Sequence, residues 1–400
     1  AWLAQYPDHY FKGEAQVTLG DALAASGHFA EAKQAYRAVT KEAGAFYFMA
    51  LNQAVKAYKA LGTPEDFLAM AEAFGLYIRD EPDSPNVVDA AYQAGWALRQ
   101  LGRPEQARTL YWNVLRTGGN NRGWEGFTPL LKGLADLYGK DGGEAMTRDF
   151  TAELEKARAA GLMTLAARLK LALIPEEPGR ARTAAYQATA VQFPLDTLGP
   201  DSLAALGAYF VEAQDLARAR VFLDRLLEVY PASRQAPFAR VRRAEQLLAA
   251  QDAAGALAEA NLAVENATDP SLFVEALLVR AQARQGTGSF EEAIDDYTVV
   301  LASKGVDRTF NPRAMLGIAA CHEARGDYRK AIPFYQRIYV LYRAYTGPVA
   351  QAYLKSGLAC EELKDWTAAA NTYNEMLADE KLAATPEAAI ARERLSRRGS

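Results

Sequence analysis

A recurring alanine constrains this chain more than any other feature. Between Gly317 and Ile338 an apolar periodicity of about 3.6 residues runs up to Gly326 and resumes after it, so Gly326-Asp327 reads as the turn between two helices. Ala331 falls where the second helix must approach the first most closely, and Tyr335 and Ile338 follow at i+4 and i+7 on the core-facing side. One such hairpin cannot bury that side alone. The template recurs at Ala32, Ala107, Ala219, Ala256, Ala293, Ala331 and Ala369, separated from Ala219 onward by 37, 37, 38 and 38 residues. The earlier gaps, 75 and 112, are two and three such periods. Four residues beyond each alanine stands Tyr36, Tyr111, Leu223, Ala260, Tyr297, Tyr335 or Tyr373, and three beyond that Val39, Val114, Leu226, Ala263, Val300, Ile338 or Met376. Self-similarity at this period marks stacked hairpins that bury their faces on one another.

The pattern resembles the tetratricopeptide repeat (TPR) family. Its order of small residue, turn glycine, aromatic, alanine and aromatic is met by Gly20, Gly27, Phe29, Ala32 and Tyr36, and by Ala319, Gly326, Tyr328, Ala331 and Tyr335. Gly95, Gly102, Ala107 and Tyr111 fit as well, with Pro104 in place of the turn aromatic. The resemblance implies an all-α fold, a right-handed superhelical solenoid of helix-turn-helix repeats. A period of 35 to 40 exceeds the family's usual length of about 34, so longer turns between repeats are expected. The phrase Leu226–Arg234, with Tyr-Pro and then Ser after a second helix, resembles repeats of bacterial cell-envelope TPR proteins, including the coordinator that works with the Tol-Pal system. That likeness leans toward a bacterial envelope or periplasm.

Four hundred residues would ordinarily suggest two or three globular domains, but a solenoid lengthens without adding domains. Residues 1–12 read as the tail of a truncated upstream repeat, since Ala1–Pro7 matches the Tyr-Pro exit of a second helix; a fragment of a longer protein is expected. About ten TPR-like repeats then fill 13–385, degenerate around 48–86 and 128–195. In the second repeat Phe67 replaces the alanine and should splay the hairpin; around 128–195 no close-approach alanine is evident. The glycine-rich linker 118–126 reads as the most flexible loop, with Trp124 either a plug or an exposed contact. A capping helix is expected over 386–400, with Thr385 as its N-cap and Pro386 at its first position.

The formal net charge is only -4 and acids and bases are interspersed, which leaves no electrostatic footprint for a phosphate backbone. Nucleic acid is not expected as a partner. Two basic sets, Arg240, Arg242 and Arg243, and Arg392, Arg394, Arg397 and Arg398, read as solvated helix faces or as a surface for an acidic protein. The longest apolar runs fall short of the ~20 residues that span a bilayer, so no membrane insertion by this stretch is expected. Cys321 and Cys360 occupy nearly equivalent places in adjacent first helices, where a disulfide would need helices far closer than usual.

Nothing in the sequence supplies catalytic chemistry. His9 and His28 lie apart in turns, His322-Glu323 lacks the second histidine of a zinc helix, and no phosphate-cradling glycine loop or nucleophile elbow is present. Neither enzyme activity nor a cofactor or metal is expected.

What the resemblance implies instead is a concave groove lined by first helices. Carried over residue by residue, the groove contacts are Asp89, Tyr92, Trp96 and Arg99 in the third repeat, and Glu275, Leu278 and Gln282 in the eighth. Arg313, Leu316 and Glu323 follow in the ninth, and Gln351, Leu354, Leu358 and Glu361 in the tenth. Leu278, Leu316 and Leu354 could equally support neighbouring helices. Tyr92 and Trp96, one turn apart, suit binding anchors. The lysine and asparagine clamp with which some TPR domains hold chaperone tails is absent: Val17 and Asp21, Tyr92 and Trp96, and Leu316 and Ala320 occupy its places. The expected function is a non-catalytic scaffold binding a peptide or protein partner. The alternative is a substrate-recognition or regulatory arm of a longer enzyme or signalling protein.

Overall fold

Each regular hairpin turns on one residue held in the left-handed backbone region. The computed structural model describes residues 9, 11–139 and 141–397, and these turn residues are Gly27, Gly102, Gln214, Gln251, Gly288, Gly326 and Lys364, with φ between 58° and 84°. The geometry closes the first helix: the N–H of the residue after the turn donates to a carbonyl five residues back, as Asp327 does to His322 and Asp365 to Cys360, both at 2.9 Å. Glycine reaches this region without a Cβ penalty, and it supplies four of the seven turns. Five residues beyond each turn lies the recurring alanine, and all of these alanines are 0–2% exposed.

The plug and the small residue it meets explain why the spacing repeats. A Cβ added at Gly20, Gly95 or Gly357 would lie 2.1–2.4 Å from a ring carbon of Tyr36, Tyr111 or Tyr373, so the first helix must be bare there. At Gly207 the aliphatic Leu223 fills the same place. Gly317 instead receives Tyr297 from the preceding hairpin, which ties one repeat to the next. These rings are nearly fully buried, and each side chain of this size contributes roughly 1.5–3 kcal/mol of burial.

Among the described residues every regular element is helical. The chain forms two compact units, residues 1–225 and 226–400. The first holds α1 (Lys12–Ala25), α2 (Phe29–Arg37), α3 (Ala45–Leu61), α4 (Pro64–Asp80), α5 (Val87–Gln100), α6 (Pro104–Gly118), α7 (Phe127–Asp136), α8 (Gly143–Ala159), α9 (Met163–Ala172), α10 (Arg180–Gln192), α11 (Pro200–Glu212) and most of α12 (Leu216–Val229). The second holds α13 (Ala236–Ala249), α14 (Ala253–Asn266), α15 (Pro270–Gly286), α16 (Phe290–Ala302), α17 (Phe310–Ala324), α18 (Tyr328–Leu341), α19 (Thr346–Glu362), α20 (Trp366–Ala378), α21 (Glu380–Ala383) and α22 (Pro386–Ser396). The expected upstream tail lies mostly outside the described residues, as do Arg398 and the last two residues. Thr385 caps α22 by accepting from the Ala388 N–H.

Serine shapes the chain between repeats. Ser84 and Ser233 follow Glu-Pro and Tyr-Pro exits, and their hydroxyls accept from the N–H of Asn86 and Gln235, at 3.2 and 3.0 Å, just before the next first helix.

In unit 1 the pattern is interrupted twice. Phe67 stands five residues past the left-handed Gly62, and α4 packs more extensively on α5 than on its own partner α3. Farther on, the sequence suggested no close-approach alanine over 128–195; the structure supplies Ala166, fully buried and five residues past the left-handed Gly161, between α8 and α9. The linker 118–126, expected to be the most flexible loop, is instead pinned by Arg168 of α9, itself 2% exposed. Arg168 donates to the carbonyls of Gly119, Asn121 (3.0 Å) and Trp124 (2.8 Å), and its guanidinium lies 3.9 Å from the Phe127 ring centre. The Asp201 carboxylate accepts from the Phe127 N–H at 3.1 Å, and Arg122 donates to the Asp196 carbonyl. Trp124 packs on Gly118 as a plug.

Candidate functional site

Successive first helices lie side by side, α13 on α15, α15 on α17 and α17 on α19 in unit 2, and α1 on α3 and α5 on α7 in unit 1. They form two walls, one in each unit, and the walls differ in how their charges are used.

On the unit 1 wall, α5 buries Ala90, Ala91, Ala94, Gly95 and Ala97, so Asp89, Tyr92, Trp96 and Arg99 share its opposite stripe. Trp96 is half-buried. The Phe67 ring meets it edge-on at 5.5 Å, and the Lys59 ammonium of α3 stands 4.4 Å from its ring centre. The bulky residue that disturbs the second hairpin is thus the one that leans on Trp96. Burial pushes the Lys59 ammonium below the usual lysine range. Tyr92 is half-buried against Gly133 of α7, and its carbonyl accepts from the Tyr111 hydroxyl at 3.2 Å. Arg99 is exposed and reaches Asp136 at 3.5 Å. The Asp89 carboxylate lies against Gly126, at the end of the pinned linker, which ties it to the loop as well as to the wall. On α3 the exposed stripe is Met49, Asn52, Lys56 and Lys59, none of which the sequence analysis singled out. Their signal was present in the spacing 49, 52, 56, 59, which matches 89, 92, 96, 99 once Gly62 is aligned with Gly102.

On the unit 2 wall several charges pair with one another, while Arg313 of α17 is half-buried and forms no ion pair among the described residues. Arg242 of α13 bridges Glu245, at 2.7 Å, and Glu275 of α15. Burial pushes the Glu245 carboxyl above the usual carboxylate range and Glu275 adds to this, while Arg242 and Arg313 pull it back. Glu323 pairs with Lys355 of α19 at 3.3 Å, and Glu361 pairs with Arg394 of α22 at 2.7 Å while accepting from the Tyr373 hydroxyl at 2.7 Å. Two of the proposed contacts are corrected outright. Leu278 is 0% and Leu354 7% exposed, inside the apolar cores of unit 2, because the stripe carried over from the family is wider than the solvent-facing arc. Leu316 and Leu358 are half-buried against the same core. Gln282 is half-buried, and Gln351 is exposed on α19.

Of the basic sets, Arg243, Arg392 and Arg397 are exposed, whereas Arg240 and Arg242 are half-buried; Arg240 and Arg243 clasp Glu259 of α14 at 2.8 and 3.6 Å and so fasten a hairpin. Arg394 is held by Glu361, and Arg392 donates to the Ala383 carbonyl at 2.8 Å.

Models of the tetratricopeptide repeat match residues 89–116 and 313–343, and a second model of that name matches residues 13–45. These three stretches carry tetratricopeptide repeats. No curated protein matches it. Similar solved structures include PilW, described as a widely conserved type IV pilus biogenesis factor, at 15% identity and TM-score 0.42 over 61% of this chain and 97% of that one. The TPR domain of P58(IPK) is 13% identical, with TM-score 0.26 over 96% and 98%. A chain of the APC/C hetero-tetramer Cut9–Hcn1 is 15% identical, with TM-score 0.38 over 99% and 88%.

Repeats of the tetratricopeptide kind point to a protein–protein interaction scaffold. Cys321 and Cys360 are buried thiols, and burial pushes Cys321 up to about 11. His322 stacks on Phe334 with ring centres 5.9 Å apart, and burial lowers its imidazole below the usual range. Among the described residues no cluster of three or more His, Cys, Asp or Glu could hold a metal, and no helix is long and apolar enough to cross a membrane.

Proposed function

We propose that this chain is a non-catalytic scaffold of a bacterial cell envelope that takes a peptide or protein partner along the first-helix wall of residues 1–225. Trp96 carries the reading: a large aromatic on the open stripe of α5, supported on one edge by Phe67 and capped by Lys59, with Tyr92 one turn away. Half-covered aromatics that lose their remaining water on binding dominate interface energies, and truncating one costs ~2 kcal/mol or more of affinity. The envelope setting rests on the Tyr-Pro-x-Ser exit at residues 230–233, as in envelope TPR proteins.

Capture of partners from a bacterial envelope extract by wild type and by Trp96→Ala, with thermal melts of both, tests the reading. Loss of a captured protein at unchanged melting temperature is expected. The same captured proteins with a large fall in melting temperature would make Trp96 a core residue and end the proposal.

A further inference from the structure

We propose that the unit 1 wall selects an acidic partner segment carrying a bulky apolar residue: carboxylates meet Lys56 and Lys59 while the apolar side chain seats against Trp96 and Tyr92. The inference rests on the groove reading above and adds the partner's chemistry to it. Its ground is the unequal use of charge on this wall. Acids beside this stripe are engaged within the fold. Asp21 accepts from the Tyr36 hydroxyl at 2.6 Å, Asp66 pairs with Lys33, and Asp136 with Arg99. Among the described residues Lys56 and Lys59 form no ion pair, and both are exposed on the α3 stripe with Met49, itself 45% exposed. The Lys59 ammonium has only the Trp96 ring face for company. Such a surface carries local positive charge around an aromatic in a protein of net charge -4, so an acidic segment is drawn to this place and repelled elsewhere. On the unit 2 wall, by contrast, Arg242, Lys355 and Arg394 already hold Glu275, Glu323 and Glu361.

The test uses three fluorescein-labelled twelve-residue peptides alternating Phe with Glu, Gln or Lys, titrated with the whole chain at low ionic strength and read by anisotropy. The Glu peptide should bind about tenfold more tightly than the Gln peptide, as two exposed charge pairs allow, and the gap should close at high salt. In the Lys56→Glu/Lys59→Glu variant the preference should reverse toward the Lys peptide, with Gln-peptide binding unchanged. A melt of the variant beside wild type separates a lost fold, in which Gln-peptide binding also falls, from a reversed preference. Equal binding of Glu and Gln peptides to wild type, with both lost in Trp96→Ala, overturns the acidic preference and leaves the groove standing. Binding of the Glu peptide that survives both variants overturns the groove and the preference together.

Discussion

Units 1 and 2 solve one packing problem in two ways. From α13 to α20 every hairpin uses the same parts, a left-handed turn residue and an alanine five residues on with no exposure beyond 2%, and the first two add arginine-to-acid clasps such as Arg280 and Arg284 on Asp296 at 2.6 and 2.7 Å. Unit 1 keeps the turn residue and the alanine in its first and third hairpins and in the α11–α12 hairpin, but has Phe67 in the second and a buried guanidinium around 118–201. The difference teaches that regularity closes a surface and irregularity leaves one open. Where the repeat is intact, side chains on the first-helix wall find partners one repeat away; where Phe67 spreads α4 from α3, Trp96 and two lysines are left facing outward.

The largest effect is expected at Arg168. Arg168→Met removes three donors from the buried carbonyls of the linker, and charged hydrogen bonds of this kind lead to a loss of about 3 kcal/mol or more. Urea unfolding should show the loss, with hydrogen exchange rising over 118–126 while α15–α19 keep their protection, because coupling in such arrays runs through neighbours. Uniform loss across both units would dissolve the distinction between them.

Ala331→Leu probes the regular side. Extra methylenes at a fully buried contact should destabilise by ~1–3 kcal/mol, with α17 to α19 loosening before α5. A neutral result would mean the alanine is not the tight point of the hairpin.

How much of this was legible in the letters follows from range. The hairpins were readable because Gly326, Ala331 and Tyr335 act within one turn of their own helices. Arg168 was not, since a lone arginine in the run Leu165–Leu169 looks like an interruption until the linker it binds, more than forty residues earlier, is folded against it. Arg240 was taken for a solvent face for the same reason: Glu259 lies on the next helix. Tyr92 and Trp96 were carried over from the family resemblance and are half-buried, whereas Leu278 and Leu354, carried over in the same way, proved buried, because such a stripe fixes direction and says nothing of what covers it. Met49, Lys56 and Lys59 were passed over because Phe67 hid the register of their repeat.

A smaller effect tests the paired wall. Glu245 titrates above the usual carboxylate range because it is buried, so the folded state favours its protonated form. That contribution is fully present below the unfolded carboxyl value of about 4.3 and is lost as pH rises through the raised folded value. Glu245→Gln should therefore gain stability at neutral pH and change little near pH 4, in melts recorded at both. A loss at neutral pH would mean that Arg242 and Arg313 outweigh burial.

The smallest effect concerns the turns. Gln251 and Lys364 occupy left-handed backbone that costs an L-residue roughly 1–2 kcal/mol, and glycine relieves this while adding freedom to the unfolded chain. Gln251→Gly should stabilise by at most about 0.5–1 kcal/mol, whereas Gly326→Gln should destabilise by a similar amount.

The most direct measurement of the central claim is hydrogen exchange of the whole chain with and without the Phe-Glu peptide at saturation. Protection gained on α3 and α5, with α13, α15, α17 and α19 unchanged, is the result this account predicts. Protection appearing instead on the four first helices of unit 2 would contradict it, since the ion-paired wall would then be the one that binds.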